Sequence, residues 1–458
     1  MEKLFRQRGK VSGWKGGREM NKLWFSRVLI LLSIALLMIS SSSSAHSIKA
    51  EKSSEAPSSP IMGPIINIWE DSISNVSPKV AYNSLHDEYL IVWHNYRPLT
   101  TDIYAQRVGS DGSLRSWFAV VSVEGETYSY PSVAYSQAQD QYLIVYEHVT
   151  SPNDYDLKAK RITWDGGLIS TEFNIRDDVD EQRWPAVVYN SVDDEYLVVY
   201  NNRWWGGLDD IAAQRVRASD GALLSWRNIA TGAGGDGKSR YYPDVAYNQA
   251  RNEYLIAYTY EFNHTNWDIY ARLASAPLGN LSSEIHIEDN SEFQEHVSLA
   301  AGPDEYLAVW DDGPPYVFSP DYRTIQARRV TGDGTLQPAM EIIDLASQAH
   351  DRPEVAYGGV GGYLLTWRYF DGVLNDDDVY GRYVGSGQDQ PSGSPFNIYD
   401  PHPTKQNQVA LACDPLAHCL VVFMDFLNPG SSEIDPEIRG RFVNLWLAYI
   451  PMVFRNSP

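Results

Sequence analysis

PKVAY (78–82), EYLIVW (88–93), DIYAQRV (102–108) and DG (111–112) follow one another early in the chain, and the series then returns. A second copy occupies 131–135, 141–146, 156–162 and 165–166, and a third 185–189, 195–200, 210–216 and 220–221. The fourth runs through 243–247, 253–258 and 268–273. Looser copies lie at 296–300, 305–310, 324–330 and 333–334, and at 353–357, 362–367 and 378–384. The seventh, most diverged, occupies 408–412, 419–423 and 437–443. The first four begin 53, 54 and 58 residues apart, a spacing that suits a four-strand unit.

Each copy reads as four strands. The stretch at 78–82 is short and carries a small Ala81, suited to a crowded inner position. Residues 89–93 are apolar on both alternating faces, as in a strand covered on both sides. Residues 103–108 alternate, and Asp-Gly supplies a hairpin turn into an outer strand such as 118–123 or 173–175. A unit of this kind cannot bury both faces alone, whereas a ring can, and closure removes the exposed edges. PIINI (64–68) resembles PFNI (395–398), and no fourth strand follows 437–443. The expectation is therefore an all-β, seven-bladed β-propeller whose N-terminal strand completes the last blade.

With its YLIVW and DIYAQRV strands, the repeat resembles uncharacterised repeat propellers of exported bacterial proteins, over residues 64–444. The resemblance implies the fold and carries over no activity and no catalytic residue. The Ser-x-Asp-x-Gly-x-x-Trp turn of sialidase-like propellers is not met. Ser110-Asp111-Gly112-Ser113 and Gly332-Asp333-Gly334-Thr335 have the wrong spacing, and hairpin chemistry accounts for them.

The flanks read differently. Arg27 leads into an apolar run at 28–39 and a small-residue stretch at 40–45, the pattern of a signal peptide over 1–45. Met20 is an alternative start to Met1. Residues 46–63 read as a flexible leader, and 445–458 as an apolar C-terminal tail, either a surface-retention signal or an added strand. The chain carries −22, and residues 1–45 carry +6, which leaves −28 beyond them. Such a surface repels phosphate backbones, so no nucleic-acid partner is expected. Nor is a multi-span membrane protein; a monomer is. Cys413 and Cys419, the two cysteines, are expected to form a disulfide across a short turn in a secreted or cell-surface protein.

Residues that recur in most copies are expected to build blades. Asp102, Asp156, Asp210, Asp268 and Asp378 suit turns, and Arg107, Arg161, Arg215 and Arg329 suit blade-to-blade hydrogen bonds. Function is sought in what varies. Tyr96, Trp204, Trp205, Tyr260 and Trp267 fall in the loops after the second strands, and Tyr130, Trp184, Tyr241 and Tyr242 in those leading to the next blade. Such rings stack on sugar C–H faces and anchor protein partners. His94, His148 and Arg368 directly follow second strands and join the expected ligand-binding set. Glu147, Glu261, Asp311 and Asp312, also after second strands and expected near the mouth of the central channel, are instead candidate acid and base groups for glycoside cleavage. No cofactor and no metal site is expected. Asn375-Asp376-Asp377-Asp378 and Leu208-Asp209-Asp210 read as solvated acidic loops, with Ca²⁺ ligation the alternative.

The leading expectation is an exported binding module for a glycan or surface protein. A glycan-active hydrolase or lyase using mouth carboxylates is one alternative, and a structural cell-surface protein another.

Overall fold

A computed structural model describes residues 60–444, except 72, 98–99, 152–153, 179–180, 204–206, 315–322, 344–348, 360–361, 372–375, 400–404 and 427–435. Among the described residues are 28 strands, and no helix is long and apolar enough to cross a membrane. After β1 (Ile61–Trp69) the strands come in fours. The first group is β2 (Ser74–Asn83), β3 (Glu88–Arg97), β4 (Thr100–Gly109) and β5 (Leu114–Val121). The second is β6 (Thr127–Ser136), β7 (Gln141–Ser151), β8 (Asp154–Thr163) and β9 (Phe173–Arg176). The third is β10 (Glu181–Asn190), β11 (Glu195–Arg203), β12 (Asp209–Arg217) and β13 (Leu223–Ala230). The fourth is β14 (Arg240–Asn248), β15 (Glu253–Asn263), β16 (Asn266–Ser275) and β17 (Ile285–Glu288). The fifth is β18 (Phe293–Ala301), β19 (Glu305–Gly313), β20 (Thr324–Thr331) and β21 (Leu336–Ile343). The sixth is β22 (Ala349–Tyr357), β23 (Gly362–Asp371), β24 (Asp376–Gly385) and β25 (Pro391–Tyr399). Finally come β26 (Lys405–Cys413), β27 (His418–Phe426) and β28 (Glu437–Asn444).

Successive strands within a group pair antiparallel. Single parallel pairs, Thr101 with Thr127 and Trp267 with Phe293, join four of the groups into two eight-stranded sheets, giving five sheets in all. The last sheet has the order β1-β28-β27-β26. Thus the N-terminal strand supplies its fourth member, with Ile66 opposite Gly440. It begins three residues before the expected boundary at 64, because Ile61 and Met62 already pair with Asn444 and Val443.

The apolar second strands explain how the groups stack. Alternate residues of β3 face opposite neighbours: Leu90 and Val92 pack with Tyr142 and Ile144, while Tyr89, Ile91 and Trp93 pack with Leu420 and Val422. Likewise β11 sends Tyr196 and Val198 toward Leu143, and Leu197 and Val199 toward Tyr254. A strand buried on both faces cannot alternate with polar residues, hence the unbroken runs. Seven clusters form this way, each spanning two groups, and one joins the first group to the last. Each buried Leu, Ile or Val side chain contributes roughly 1.5–3 kcal/mol.

The first hairpins repeat in detail. Tyr82, Tyr135, Tyr189 and Tyr247 donate to Asp87, Asp140, Asp194 and Asn252 at 3.1, 2.7, 2.9 and 2.9 Å. Those four acceptors have φ between 49° and 52°, a left-handed conformation that Asp and Asn tolerate. Cys413 and Cys419 sit opposite one another on β26 and β27 and are disulfide-bonded.

Two expectations are corrected. The recurrent aspartates occupy third strands rather than turns, and all five are buried, because they lie where the third strand leaves the second. The recurrent arginines act mainly within their own group. Arg107 is bidentate to Glu88 at 2.9 and 2.8 Å, and Arg215 to Glu195 at 2.7 and 2.6 Å. Bonds to the next group are made by Arg161, to the Ser219 carbonyl at 2.7 Å, and by Arg329, to Asp389.

Candidate functional site

Every first strand is interrupted at the same place. Pairing slips between Val76 and Lys79, Ser129 and Ser132, Arg183 and Ala186, and Tyr241 and Asp244. It slips again between Glu295 and Ser298, Asp351 and Glu354, and Asn407 and Ala410. At each bulge the residue before the recurring proline, or the valine that replaces it, has positive φ. The angles are 54° at Ser77, 45° at Tyr130, 51° at Trp184, 49° at Tyr242, 49° at His296, 52° at Arg352 and 46° at Gln408. None is glycine. A bulky residue in this region is strained and persists only where its surroundings hold it. Bulges re-aim side chains, here from one position in each repeat.

At five of these bulges the holding group comes from the preceding repeat, whereas Gln408 N–H donates to the adjacent Asn407 Oδ1 at 2.7 Å. Tyr130 N–H donates to His94 Nδ1 at 3.3 Å, Trp184 N–H to Glu147 Oε1 at 2.7 Å, and Tyr242 N–H to Asn201 Oδ1 at 3.0 Å. Arg352 N–H donates to Asp311 Oδ2 at 3.0 Å. His94, Glu147, Asn201 and Asp311 all directly follow the aromatic residue of a second strand. Where the last repeat has Met424 in that place, Gln408 substitutes and accepts from Ser77 N–H at 2.5 Å.

The re-aimed side chains form an aromatic arc. Tyr130 is 40% exposed, while Trp184, Tyr242 and His296 are half-buried. Trp184 and Tyr242 lie 4.6 Å apart between ring centroids, and Tyr242 stacks with His296 at 6.0 Å. Arg183 covers the rings of Tyr155 and Trp184 at 4.2 and 4.7 Å. Tyr241 stacks with Trp267 at 5.2 Å, and Trp267 stacks with Phe293 at 4.3 Å.

Below His296 lies a charged cluster. His296 Nδ1 is 2.8 Å from Asp311 Oδ2, and the buried Arg323 donates to Asp311 Oδ1. Burial would raise the Asp311 carboxyl, but Arg323 and His296 hold it well below the usual carboxylate range. His296 is raised despite its burial, through Asp311 and Glu295. Burial pushes the carboxyls of Glu295 and Glu147 up. Glu295, His296 and Asp311 each bring one ligand atom within 4.8 Å of the others. Arg323 already supplies a cation there, on Asp311 and 3.8 Å from Glu295.

The expected site residues separate. Tyr96 is 61% exposed. Tyr260 is buried, stacked on Tyr270 at 4.5 Å, and its hydroxyl donates to Asp236 at 2.9 Å. His148 is buried against Tyr128 and lies 2.7 Å from Glu126. Arg368 is bidentate to Asp351. Glu261 accepts from Tyr241 at 3.0 Å and pairs with His264, and Asp312 accepts from Gln294 at 2.8 Å. Trp204 and Trp205 lie outside the described residues. Tyr130, Trp184, Tyr241 and Tyr242 belong to first strands, not to loops. Asp209, Asp210, Asp377 and Asp378 are buried strand residues rather than a solvated loop. Arg183, Glu295, His296 and Arg352 are not among the site residues expected from the sequence; the signal for the bulge is the column preceding the recurring proline, which varies while the proline and the Val-x-Tyr beyond it recur in most copies.

The chain is thus an all-β protein of repeated four-strand groups with a bulge-borne aromatic arc. No protein-family model and no curated protein matches it. It is similar to a solved protein of unknown function from Dyadobacter fermentans, with TM-score 0.48, 11% identity, and coverage of 84% of this chain and 99% of that one. It is also similar to the β-propeller domain of the Trilobed protease from Pyrococcus furiosus, with TM-score 0.45, 8% identity, and coverage of 80% and 94%. A third is the GH93 α-L-arabinofuranosidase of Fusarium graminearum, with TM-score 0.43, 13% identity, and coverage of 84% and 98%.

Proposed function

We propose that the chain is an exported, seven-bladed β-propeller whose mouth binds a glycan without cleaving it. The blade count is supported by the seven intergroup clusters, one of which links the first group to the last. Export is supported by the disulfide, which suits an oxidising compartment, and by the signal-like run at 28–39.

The observation that carries the binding reading is the ring at the bulge position of three consecutive repeats: Tyr130, Trp184 and Tyr242. Partly exposed rings in fixed backbone offer stacking faces at little entropic cost. Weighing against catalysis, Glu147 accepts Trp184 N–H and the Ser129 hydroxyl, and Asp311 is held by Arg323, His296 and Arg352 N–H. Affinity electrophoresis of the protein through gels holding a broad polysaccharide panel tests this reading. Retardation by at least one glycan is expected. Unaltered mobility across the panel would shift the weight to a protein partner or a structural surface role.

A further inference from the structure

His94, His148 and His350 are buried, and the unpartnered His148 Nδ1 and His350 Nε2 lie within the protein. His296 differs. Its side chain is 25% exposed, and its Nε2 is neither buried nor hydrogen-bonded among the described residues. It is the bulge residue of the fifth group, next along the arc after Tyr130, Trp184 and Tyr242, and its ring stacks on Tyr242.

The other ring nitrogen is fixed by the protein. Nδ1 lies 2.8 Å from Asp311 Oδ2, which also accepts Arg352 N–H at 3.0 Å, while Arg323 donates to Asp311 Oδ1. An ionised carboxylate only accepts, so Nδ1 carries a hydrogen in both charge states of the ring. Protonation then changes Nε2 alone. In the neutral ring it offers a lone pair, and in the imidazolium an N–H.

Charged groups reach this ring from several elements. Glu295 precedes it on β18, Asp311 comes from β19 and Arg352 from β22, and Arg323, just before β20, sits on the other oxygen of Asp311. Tyr242 of β14 covers the ring with a phenol that burial keeps neutral. Burial disfavours the imidazolium, but Asp311 and Glu295 outweigh it, with Arg352 opposing them, so the ring titrates above the ordinary imidazole value.

We propose that His296 couples binding at the arc to a proton: as imidazolium it donates Nε2–H to an oxygen of the bound sugar, and as neutral imidazole it loses that bond. This rests on the glycan-binding reading above and adds its regulation. The ring and glycosidic oxygens of a sugar accept but cannot donate, so a lone pair at Nε2 repels where an N–H attracts. A hydrogen bond from a charged donor is about twice as strong as a neutral one. Binding therefore takes up a proton, and affinity falls as pH rises through the pKa of the free ring.

The test runs the protein through affinity gels holding arabinan, xylan, laminarin, galactomannan or polygalacturonate, in steps from about pH 5 to about pH 8. Retardation by at least one polymer is expected to weaken about tenfold across that range, as for a rise of about one pKa unit on binding. His94 and His350 titrate at about 4, below the range. His296→Gln is expected to bind at the weaker, high-pH affinity throughout, with an unchanged melting temperature. Gln408 already occupies the equivalent positive-φ place in the last group. Isothermal titration in phosphate and in Tris, whose ionisation enthalpies differ, reads proton uptake by wild type without any variant. Uptake is expected near the midpoint of the decline. No uptake, equal or tighter binding at the alkaline end, or a decline retained in His296→Gln would each overturn the coupling while leaving glycan binding intact. No retardation by any polymer at any pH would overturn both readings.

Discussion

Tyr89 donates its phenolic hydrogen to the backbone carbonyl of His418 at 2.7 Å, across 329 residues of chain. Tyr196 and Tyr306 make the equivalent bond to the group before their own, at Gln141 and Glu253. For Tyr89 the preceding group is the last one, which β1 completes.

If that junction closes the molecule, damage to it should register as global stability. Tyr89→Phe is expected to cost about 1 kcal/mol, the net value of one hydrogen bond. Ile68→Ala, in the cluster shared by β1, β3 and β27, is expected to cost roughly 2–5 kcal/mol. Urea unfolding monitored by tryptophan fluorescence measures both. A change confined to β1, with the main transition unmoved, would argue that the ends are not coupled.

Glu147 separates a structural carboxyl from a catalytic one. Glu147→Gln keeps an acceptor for Trp184 N–H and should leave glycan binding unchanged. Glu147→Ala orphans that buried donor and should cost about 1–3 kcal/mol. The wild-type carboxyl is raised in the folded state, so the stability it contributes is lost as pH rises through its folded pKa. Relative to wild type, the Gln variant should therefore gain stability toward alkaline pH in denaturant titrations.

His94 titrates with the opposite sign. Burial lowers its imidazole from 6.5 to about 4, and burial lowers His350 similarly to about 4 with Asp351 opposing. A depressed folded pKa contributes stability above 6.5 that is lost as pH falls toward 4. His94→Gln offers Tyr130 N–H an acceptor that does not titrate. The stability of wild type relative to this variant should fall by on the order of 3 kcal/mol between pH 7 and pH 4. A pH-independent difference would mean that His94 is accessible to water.

Replacing both Cys413 and Cys419 by alanine should cost about 2 kcal/mol, since the bridge closes a very short loop. Thiol titration of the native protein should find no free thiol until denaturant and reductant are both present.

The repeat was legible because its constraints are local and recur. Tyr82 needs Asp87, and residues 89–93 must be apolar on both faces, so the same letters return in other copies. That β1 supplies the fourth strand of the last group was legible from the match of 64–68 to 395–398. What escaped were features set by backbone conformation. Nothing in Arg352 or His296 announces a positive φ, and the proline after Tyr130 looked like the start of a strand rather than its bulge. The polar residues after the second strands were read as an open mouth. Their partners are backbone N–H groups of the next repeat, which no side-chain pattern discloses.

The most direct test of the proposed binding surface is isothermal titration of the best-retarding glycan into wild type and Trp184→Ala. Trp184 lies between Arg183 and Tyr242 at the centre of the arc. Loss of one stacking ring should weaken binding about tenfold or more while the melting temperature holds. Unchanged affinity in a folded Trp184→Ala protein would contradict the assignment of the bulge ring as the binding surface.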